Sequence, residues 1–250
     1  MSPVILVDQI TKEFRLQYGT TLKQMLLKRL RGLETSNSFR ALDDVSFTVE
    51  QGESVGLMGL NGSGKSTLLS LVSGIMHPDH GRVLTRGRIA GLIGAGAGFH
   101  AQLSGRDNIR LNGAILGMTE AEIKAKFDDI IDFAGIGKFL DTEVGHYSSG
   151  MQSRLGFAVA IHTDCDIFLI DETLAVGDRP FKRKCLKRID ELRAEGRSIL
   201  FVSHNTNQVK RLCTRALVLE QGKLAFDGPV PDAIAYLHYD EDDDPDAGEL

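Results

Sequence analysis

The chain has few cysteines, no long apolar run and no large excess of basic residues, and each shortage excludes a class of protein. No CxxC spacing occurs, and the three cysteines lie far apart, at Cys165, Cys185 and Cys213. We therefore expect reduced thiols, as in a cytosolic protein, and neither a disulfide scaffold nor a zinc site. No window holds the ~18 apolar residues that span a bilayer. The N-terminal MSPVILVDQITKEF also lacks the pattern of a secretory signal, so a membrane role should be peripheral or depend on a partner.

The negative charge of the chain is concentrated at its C-terminal end. The formal net charge is −5, from 29 basic and 34 acidic residues. Seven of these acids fall in the last segment, DEDDDPDAGEL, and the rest of the chain is nearly neutral. Such a block predicts a solvated, disordered tail over 240–250. Because no strong basic surface is evident elsewhere, we expect no nucleic-acid partner.

Short β-type runs alternate with helical patterns, which predicts an α/β fold in a single domain over 1–239. The runs IFLID and SILFVS are apolar except at their ends, as in central parallel strands that are covered on both faces. EQGKLAFDG predicts a late hairpin that turns at Gly222. A helix-rich region predicts a helical subdomain inserted at about 100–162. Its clearest helix starts with a capping box at Thr119 and Glu122 and ends at Gly135.

An early segment, TTLKQMLLKRLRGL, predicts an amphipathic insertion at about 20–34. Four leucines share one face of this helix, and basic residues supply charge between 23 and 31. Two interpretations remain open. The helix could pack on the core of the protein, or it could lie at a membrane surface or against a membrane subunit.

The motif GLNGSGKST fits the pattern G-x-x-x-x-G-K-[ST] between an apolar strand and a helix start, the context of a phosphate-binding loop. Glycines let backbone N–H groups turn toward a phosphate chain, and the helix N-terminus adds its dipole. We expect Lys65 to reach the β- and γ-phosphates of a nucleoside triphosphate and Ser66 to hold Mg²⁺. The predicted nucleotide-binding residues are Gly59, Asn61, Gly62, Ser63, Gly64, Lys65, Ser66 and Thr67.

The run IFLIDE places two acids at the end of a buried strand. Asp171 is the expected metal ligand, directly or through water. Glu172 follows at once and is well placed to act as the general base toward an attacking water, which favours hydrolysis over transfer to an organic acceptor. The alternative is a strand that simply ends in surface acids.

The stretch YSSGM resembles the signature of the nucleotide-binding subunits of ABC transporters, and the resemblance covers nearly all of the chain. It implies a P-loop NTPase core with a parallel sheet, an antiparallel β subdomain and the inserted helical subdomain. It also implies that Ser148, Ser149 and Gly150 bind the γ-phosphate of an ATP held by a second copy of the chain. The hydroxyl and backbone N–H groups at a helix start suit an anion. Two ATP molecules would then be buried between head-to-tail protomers.

Further residues match this family. Asp178, in LAVGD, falls where the D-loop aspartate lies near the dimer interface, and His204, in FVSH, falls where a switch histidine contacts the γ-phosphate. Phe14 is the first choice for the aromatic that stacks on adenine, and Tyr18 and Phe39 are alternatives. One element departs from the family: the usual glutamine that touches Mg²⁺ should fall at Gly94, Ala95 or Gly96, and none is present.

The motifs GAGFH, LSGRDN and DETLAVGD resemble the branch of ABC proteins that exports bacterial polysaccharides, including O-antigens and teichoic acids, and more weakly the actinobacterial galactan exporters. The implied partners are a multi-span membrane permease, which holds the subunit at the cytoplasmic face of the inner membrane, and a lipid-linked polysaccharide as cargo. The main alternative is a soluble ABC ATPase that works in assembly or on ribosomes. A regulatory ABC module is disfavoured because Glu172 and His204 are both present.

Overall fold

The computed structural model describes residues 3–16, 37–92, 98–171 and 178–237. The predicted amphipathic insertion and the acidic tail lie outside these ranges. In chain order, the strands and α-helices are β1 (Pro3–Leu16), β2 (Asn37–Glu50), β3 (Ser54–Met58), α1 (Lys65–Val72), β4 (His80–Thr85), β5 (Ile89–Leu92), α2 (Gly105–Ile115), α3 (Glu120–Ala134), α4 (Ser149–Ile161), β6 (Ile167–Ile170), α5 (Arg179–Ala194), β7 (Ser198–Val202), α6 (Thr206–Leu212), β8 (Arg215–Glu220), β9 (Lys223–Pro229) and α7 (Val230–Leu237).

Two sheets organise these strands. A three-stranded antiparallel sheet has the order β2-β1-β4, and a six-stranded sheet has the order β5-β6-β7-β3-β8-β9. The first five strands of the larger sheet are parallel, and β9 pairs with β8 in the antiparallel direction. The predicted α/β core and antiparallel subdomain are therefore confirmed.

The central strands are apolar except for their first residues Ser54 and Ser198, as expected of a sheet that is covered on both faces. Successive side chains of a strand point to opposite faces. Accordingly, Leu169 and Leu200 pack on one face with β1, β2 and α1, whereas Phe168 and Phe201 pack on the other face with α4 and α5. Two separate cores thus lie on the two faces of one sheet.

Helices α2, α3 and α4 form the helical region that the sequence predicts, and the predicted start of α3 is confirmed. Thr119 accepts from the N–H of Glu122, whose side chain accepts from the N–H of Thr119, and Gly135 ends the helix in the left-handed conformation. The late hairpin is also present. Gln221 and Gly222 both have positive φ, 46° and 81°, which is the geometry of a two-residue turn between twisted strands.

Candidate nucleotide-binding site

Three neighbouring strands of the larger sheet end at the same edge, and each is followed by a predicted site residue. The P-loop, which we define as residues 59–67, follows β3, Asp171 follows β6, and His204 comes two residues after β7. Strand β7 lies between β6 and β3 in the sheet. Because adjacent strands are about 4.8 Å apart, the ends of β3 and β6 lie about 10 Å from each other. The structure therefore brings these groups together at one edge.

The P-loop has the backbone conformation that its glycines permit. Gly59, Gly62 and Gly64 have φ values of 136°, 80° and 109°, in the region that favours glycine. A Cβ atom on Gly64 would lie 2.7 Å from the carbonyl oxygen of Ala41. Gly64 also precedes the first residue of α1, so the loop leads directly into a helix N-terminus. Replacement of Gly64 would therefore displace the loop.

Lys65 is buried and folds back over the P-loop. Its Nζ donates to the carbonyl oxygens of Gly59 at 2.8 Å and Leu60 at 3.0 Å. Ser63 is also buried, and its hydroxyl has no hydrogen-bond partner among the described residues. A buried polar group without a partner is costly, and an anion in the loop would supply one. The residues of the P-loop therefore fit a phosphate chain.

The remaining P-loop residues lie between the tip of the loop and the first turn of α1. Asn61 and Gly62 are exposed at the tip of the loop. Ser66, in the first turn of α1, is exposed, and Thr67 next to it is half-buried. The Ser66 hydroxyl can therefore reach a ligand in the loop.

The turn between β8 and β9 supports the P-loop from behind, a contact that sequence reasoning missed. The N–H of Gly222 donates to the carbonyl oxygen of Ser63 at 3.0 Å, and its own carbonyl accepts from the N–H of Asp43 at 2.8 Å. A Cβ atom on Gly222 would lie 2.7 Å from the Ala41 carbonyl oxygen. Glycine at this turn therefore permits close approach to the loop as well as a positive φ.

Only some of the predicted residues around the P-loop lie within the described ranges. Asp171 is half-buried at the end of β6, and His204 is exposed. Glu172, the predicted general base, lies outside the described residues, as do Gly94, Ala95 and Gly96, where the family glutamine is missing. The role of Glu172 therefore stays a prediction.

The candidate adenine-stacking residues lie on the antiparallel sheet. Phe14 on β1 and Phe39 on β2 are register partners and are 36% and 51% exposed. The Lys12 Nζ lies 5.8 Å from the centre of the Phe14 ring. Both rings therefore present a surface that can stack, and Tyr18 lies outside the described ranges.

The signature segment begins α4. The Ser148 hydroxyl accepts from the N–H of Met151 at 3.2 Å, which caps the helix and leaves the hydroxyl proton free to donate. Ser148 and Ser149 are exposed and Gly150 is half-buried. Behind them, the buried Tyr147 hydroxyl donates to the Phe139 carbonyl at 2.7 Å, and burial raises the pKa of this phenol. The tip of α4 is thus preceded by a buried tyrosine whose hydroxyl is fixed by a hydrogen bond.

A second contact near the signature was also missed from the sequence. Arg154, on α4, donates to the Asp178 carboxylate at 2.8 Å. Asp178 is the predicted D-loop residue, and it is half-exposed at the start of α5. The pair joins residues 24 positions apart, and no local pattern in the sequence identifies them as partners.

The motif LSGRDN organises the loop before α2. Ser104 caps α2 by accepting from the N–H of Asp107 at 3.1 Å. Asn108 is fully buried and accepts from the N–H of His100 at 2.8 Å. Its side-chain amide donates to the carbonyls of His100, Leu103 and Ser104, each at 3.0 Å. This motif therefore fixes a loop, and its asparagine is structural.

Comparison with known proteins places this geometry in a family. A family model described as ABC transporter matches residues 42–175. The chain belongs to the ABC transporter family. It is an ABC-type ATPase.

Curated relatives and solved structures agree with this assignment. The O-antigen export system ATP-binding protein RfbB of Klebsiella pneumoniae is 44% identical over 228 residues, which cover 90% of this chain and 93% of that protein. The teichoic acids export ATP-binding protein TagH of Bacillus anthracis is 43% identical over 234 residues, covering 94% of this chain and 42% of that protein. A solved dimeric ATP-binding cassette, in a post-hydrolysis state with ADP and phosphate, shares the fold. Its TM-score is 0.72 at 19% identity, over 90% of this chain and 98% of that one.

Proposed function

We propose that this chain is the ATP-binding and ATP-hydrolysing subunit of an exporter that moves a lipid-linked polysaccharide across the cytoplasmic membrane. The observation that carries the proposal is the convergence of the P-loop, Asp171 and His204 at one sheet edge. It occurs in a chain 44% identical to a protein named for O-antigen export. The second relative is named for teichoic acids export. Both names favour transport over a soluble ABC ATPase that works in assembly or on ribosomes.

Each predicted site residue has a proposed role in binding or hydrolysis. Lys65 would leave the loop carbonyls and bind the β- and γ-phosphates. Mg²⁺, when bound, neutralises phosphate charge, and Ser66 and Asp171 are the residues that would hold it. Glu172 would orient the attacking water and take its proton, and His204 would contact the γ-phosphate.

Adenine and the second phosphate-binding surface complete the site. An aromatic on the antiparallel sheet, Phe14 in the first instance, would stack on adenine. Ser148, Ser149 and Gly150 would bind the γ-phosphate held by a second copy of the chain, with Asp178 near the contact. Ser148 and Ser149 are exposed at the tip of α4 and Gly150 is half-buried, which leaves this segment available to that copy. The dimeric cassette with the same fold supports a dimer.

Export requires a membrane partner. None of the helices in the described ranges is long and apolar enough to cross a bilayer. We propose that the chain binds a multi-span permease at the cytoplasmic face of the inner membrane. ATP binding would close the dimer because each triphosphate contacts both protomers only in the closed state, and hydrolysis would open it.

The variant Glu172→Gln tests this mechanism. It should bind ATP and accumulate as a dimer, with phosphate release reduced by at least about 100-fold, a typical contribution of a general base. Sedimentation with ATP and with ADP would measure the dimer, and the wild-type chain is the control. Normal phosphate release by the variant would contradict the role of Glu172.

A cellular experiment tests the cargo. Depletion of the protein should trap lipid-linked glycan on the cytoplasmic side. Extraction in detergent should recover the chain together with a multi-span membrane subunit. Normal surface glycan after depletion, or recovery without such a subunit, would contradict the proposed export role.

A further inference from the structure

Arg154 connects the helix that begins at the signature with the residue predicted for the D-loop. It lies in the second turn of α4, and its Nη2 donates to Asp178 Oδ1 at 2.8 Å. Its guanidinium carbon lies 5.3 Å from the centre of the Phe181 ring, on α5. A Cβ atom on Gly135 would lie 3.9 Å from Nη1 of Arg154. The Arg154 side chain thus extends from α4 to the end of α3 and the start of α5.

Asp178 uses the same carboxylate oxygen for two purposes. Oδ1 accepts from Arg154 and also from the N–H of Phe181 at 3.4 Å, which caps α5. The cap needs only a side-chain oxygen, and asparagine caps a helix about as well as aspartate. The ion pair needs the charge. The variant Asp178→Asn therefore removes the pair and keeps the cap.

The ring below Arg154 is a fixed platform. Phe181 is 6% exposed. Its ring centre lies 5.6 Å from that of Phe133, on α3, and 6.0 Å from that of Phe157, on α4, in edge-to-face geometry. Because these rings pack α5 against α3 and α4, the guanidinium is held between a rigid surface and a carboxylate. The start of α5 cannot turn relative to α4 without breaking one of these contacts.

Energy alone does not explain this arrangement. The side chains of Arg154 and Asp178 are 30% and 55% exposed, and ion pairs at such exposure contribute little to stability. Instead, the pair sets the orientation of the start of α5 relative to α4, the helix that carries the signature.

We propose that Arg154 is a positioning residue that locks the signature helix to Asp178, so that both are presented to the partner's nucleotide as one unit. This inference rests on the proposed ATP-sandwich dimer. Loss of the pair would leave each protomer able to bind ATP at its own P-loop. It would weaken dimer closure, because the signature and Asp178 would no longer be aligned together.

The test compares dimer formation with nucleotide affinity in the Glu172→Gln background. Arg154→Met keeps the aliphatic stem over Phe181 and removes the charge. We expect Arg154→Met and Asp178→Asn each to raise the dimer dissociation constant in ATP by roughly tenfold, a typical coupling between two elements. The affinity of the monomer for a fluorescent ATP analogue should stay within about twofold. The double variant should be no weaker than either single variant, because both remove the same contact.

Lys184→Met is the matched control. Lys184, also on α5, donates to the carbonyls of Asp132 and Phe133 at 3.0 and 3.1 Å and lies 4.5 Å from the Phe133 ring centre. It therefore ties α5 to α3 but not to the signature helix, and its loss should leave dimerisation unchanged. Equal weakening by Lys184→Met would overturn the inference in favour of general loosening, and so would unchanged dimerisation of Arg154→Met. Failure of Glu172→Gln alone to dimerise would instead defeat the proposed function, and the inference with it.

Discussion

Replacement of Asn108 by alanine should destabilise the chain strongly, and its hydrogen bonds give the magnitude. The side chain is fully buried; its oxygen accepts one N–H, and its amide donates toward three carbonyls. Two N–H groups make at most two full hydrogen bonds, so about three are lost in all. At about 1 kcal/mol each, the expected loss is about 3 kcal/mol. The N–H of His100 is also left without its acceptor.

Urea denaturation followed by circular dichroism would measure this loss as a lower midpoint. The isosteric variant Asn108→Asp tests the loss of the amide donors at nearly unchanged side-chain volume. It keeps the acceptor for His100 but replaces both N–H donors with an oxygen that faces carbonyls. It should cost at least as much as alanine at pH 7. A loss below about 1 kcal/mol for both variants would refute the reasoning, because it would mean that the loop does not depend on this side chain.

Three further predictions concern the phosphate-binding loop, a helix cap and the thiols. Lys65→Met should weaken ATP binding at least about tenfold, since a charged hydrogen bond contributes about 1.5–3 kcal/mol; unchanged affinity in a fluorescence titration would remove its role. The ion pair with Arg88 and the cap at Thr119 lower the pKa of Glu122 from 4.5 to about 2. The free energy of unfolding of the wild-type chain should therefore exceed that of Glu122→Gln by a constant amount above about pH 5, and the difference should shrink as the pH falls from 4.5 toward 2. Urea denaturation at several pH values would measure it, and a constant difference down to pH 3 would contradict this. Burial raises the pKa of each thiol to about 12, so Ellman's reagent at pH 8 should label no thiol in the native chain and three in urea, namely Cys165, Cys185 and Cys213.

The sequence predicts the central strands well because their environment leaves a simple pattern. Residues 167–170 and 198–202 are buried at every position, and a nearly continuous apolar run is typical of a sheet covered on both faces. The strand pattern predicts neither β4 nor β5. Strand β4 is almost wholly exposed and polar, HGRVLT, and β5 is only four residues long. Both owe their conformation to pairing with distant strands.

Site residues that belong to a local motif can be predicted from the sequence, whereas those that meet through contacts between distant positions cannot. The P-loop is a continuous motif whose glycines satisfy local backbone demands, so its chemistry is visible in the sequence. The contact from Gly222 to Ser63 and the pair of Arg154 with Asp178 join distant positions. Glycine, arginine and aspartate are common on protein surfaces, and only the folded chain shows which of them meet.

Helix α4 explains why contacts of this kind matter at the signature. Its last seven residues, 155–161, are buried in the core between the sheet and the helices, whereas residues 149–154 are exposed or half-buried. The core therefore fixes one half of the helix, and the signature lies at the end of the other half. In that half Met151 packs against the core, and two polar contacts hold its side: Gln152 donates to the Val144 carbonyl at 3.1 Å, and Arg154 to Asp178. Removal of the two polar contacts should shift the signature while the core stays folded, because residues 155–161 are buried independently of them.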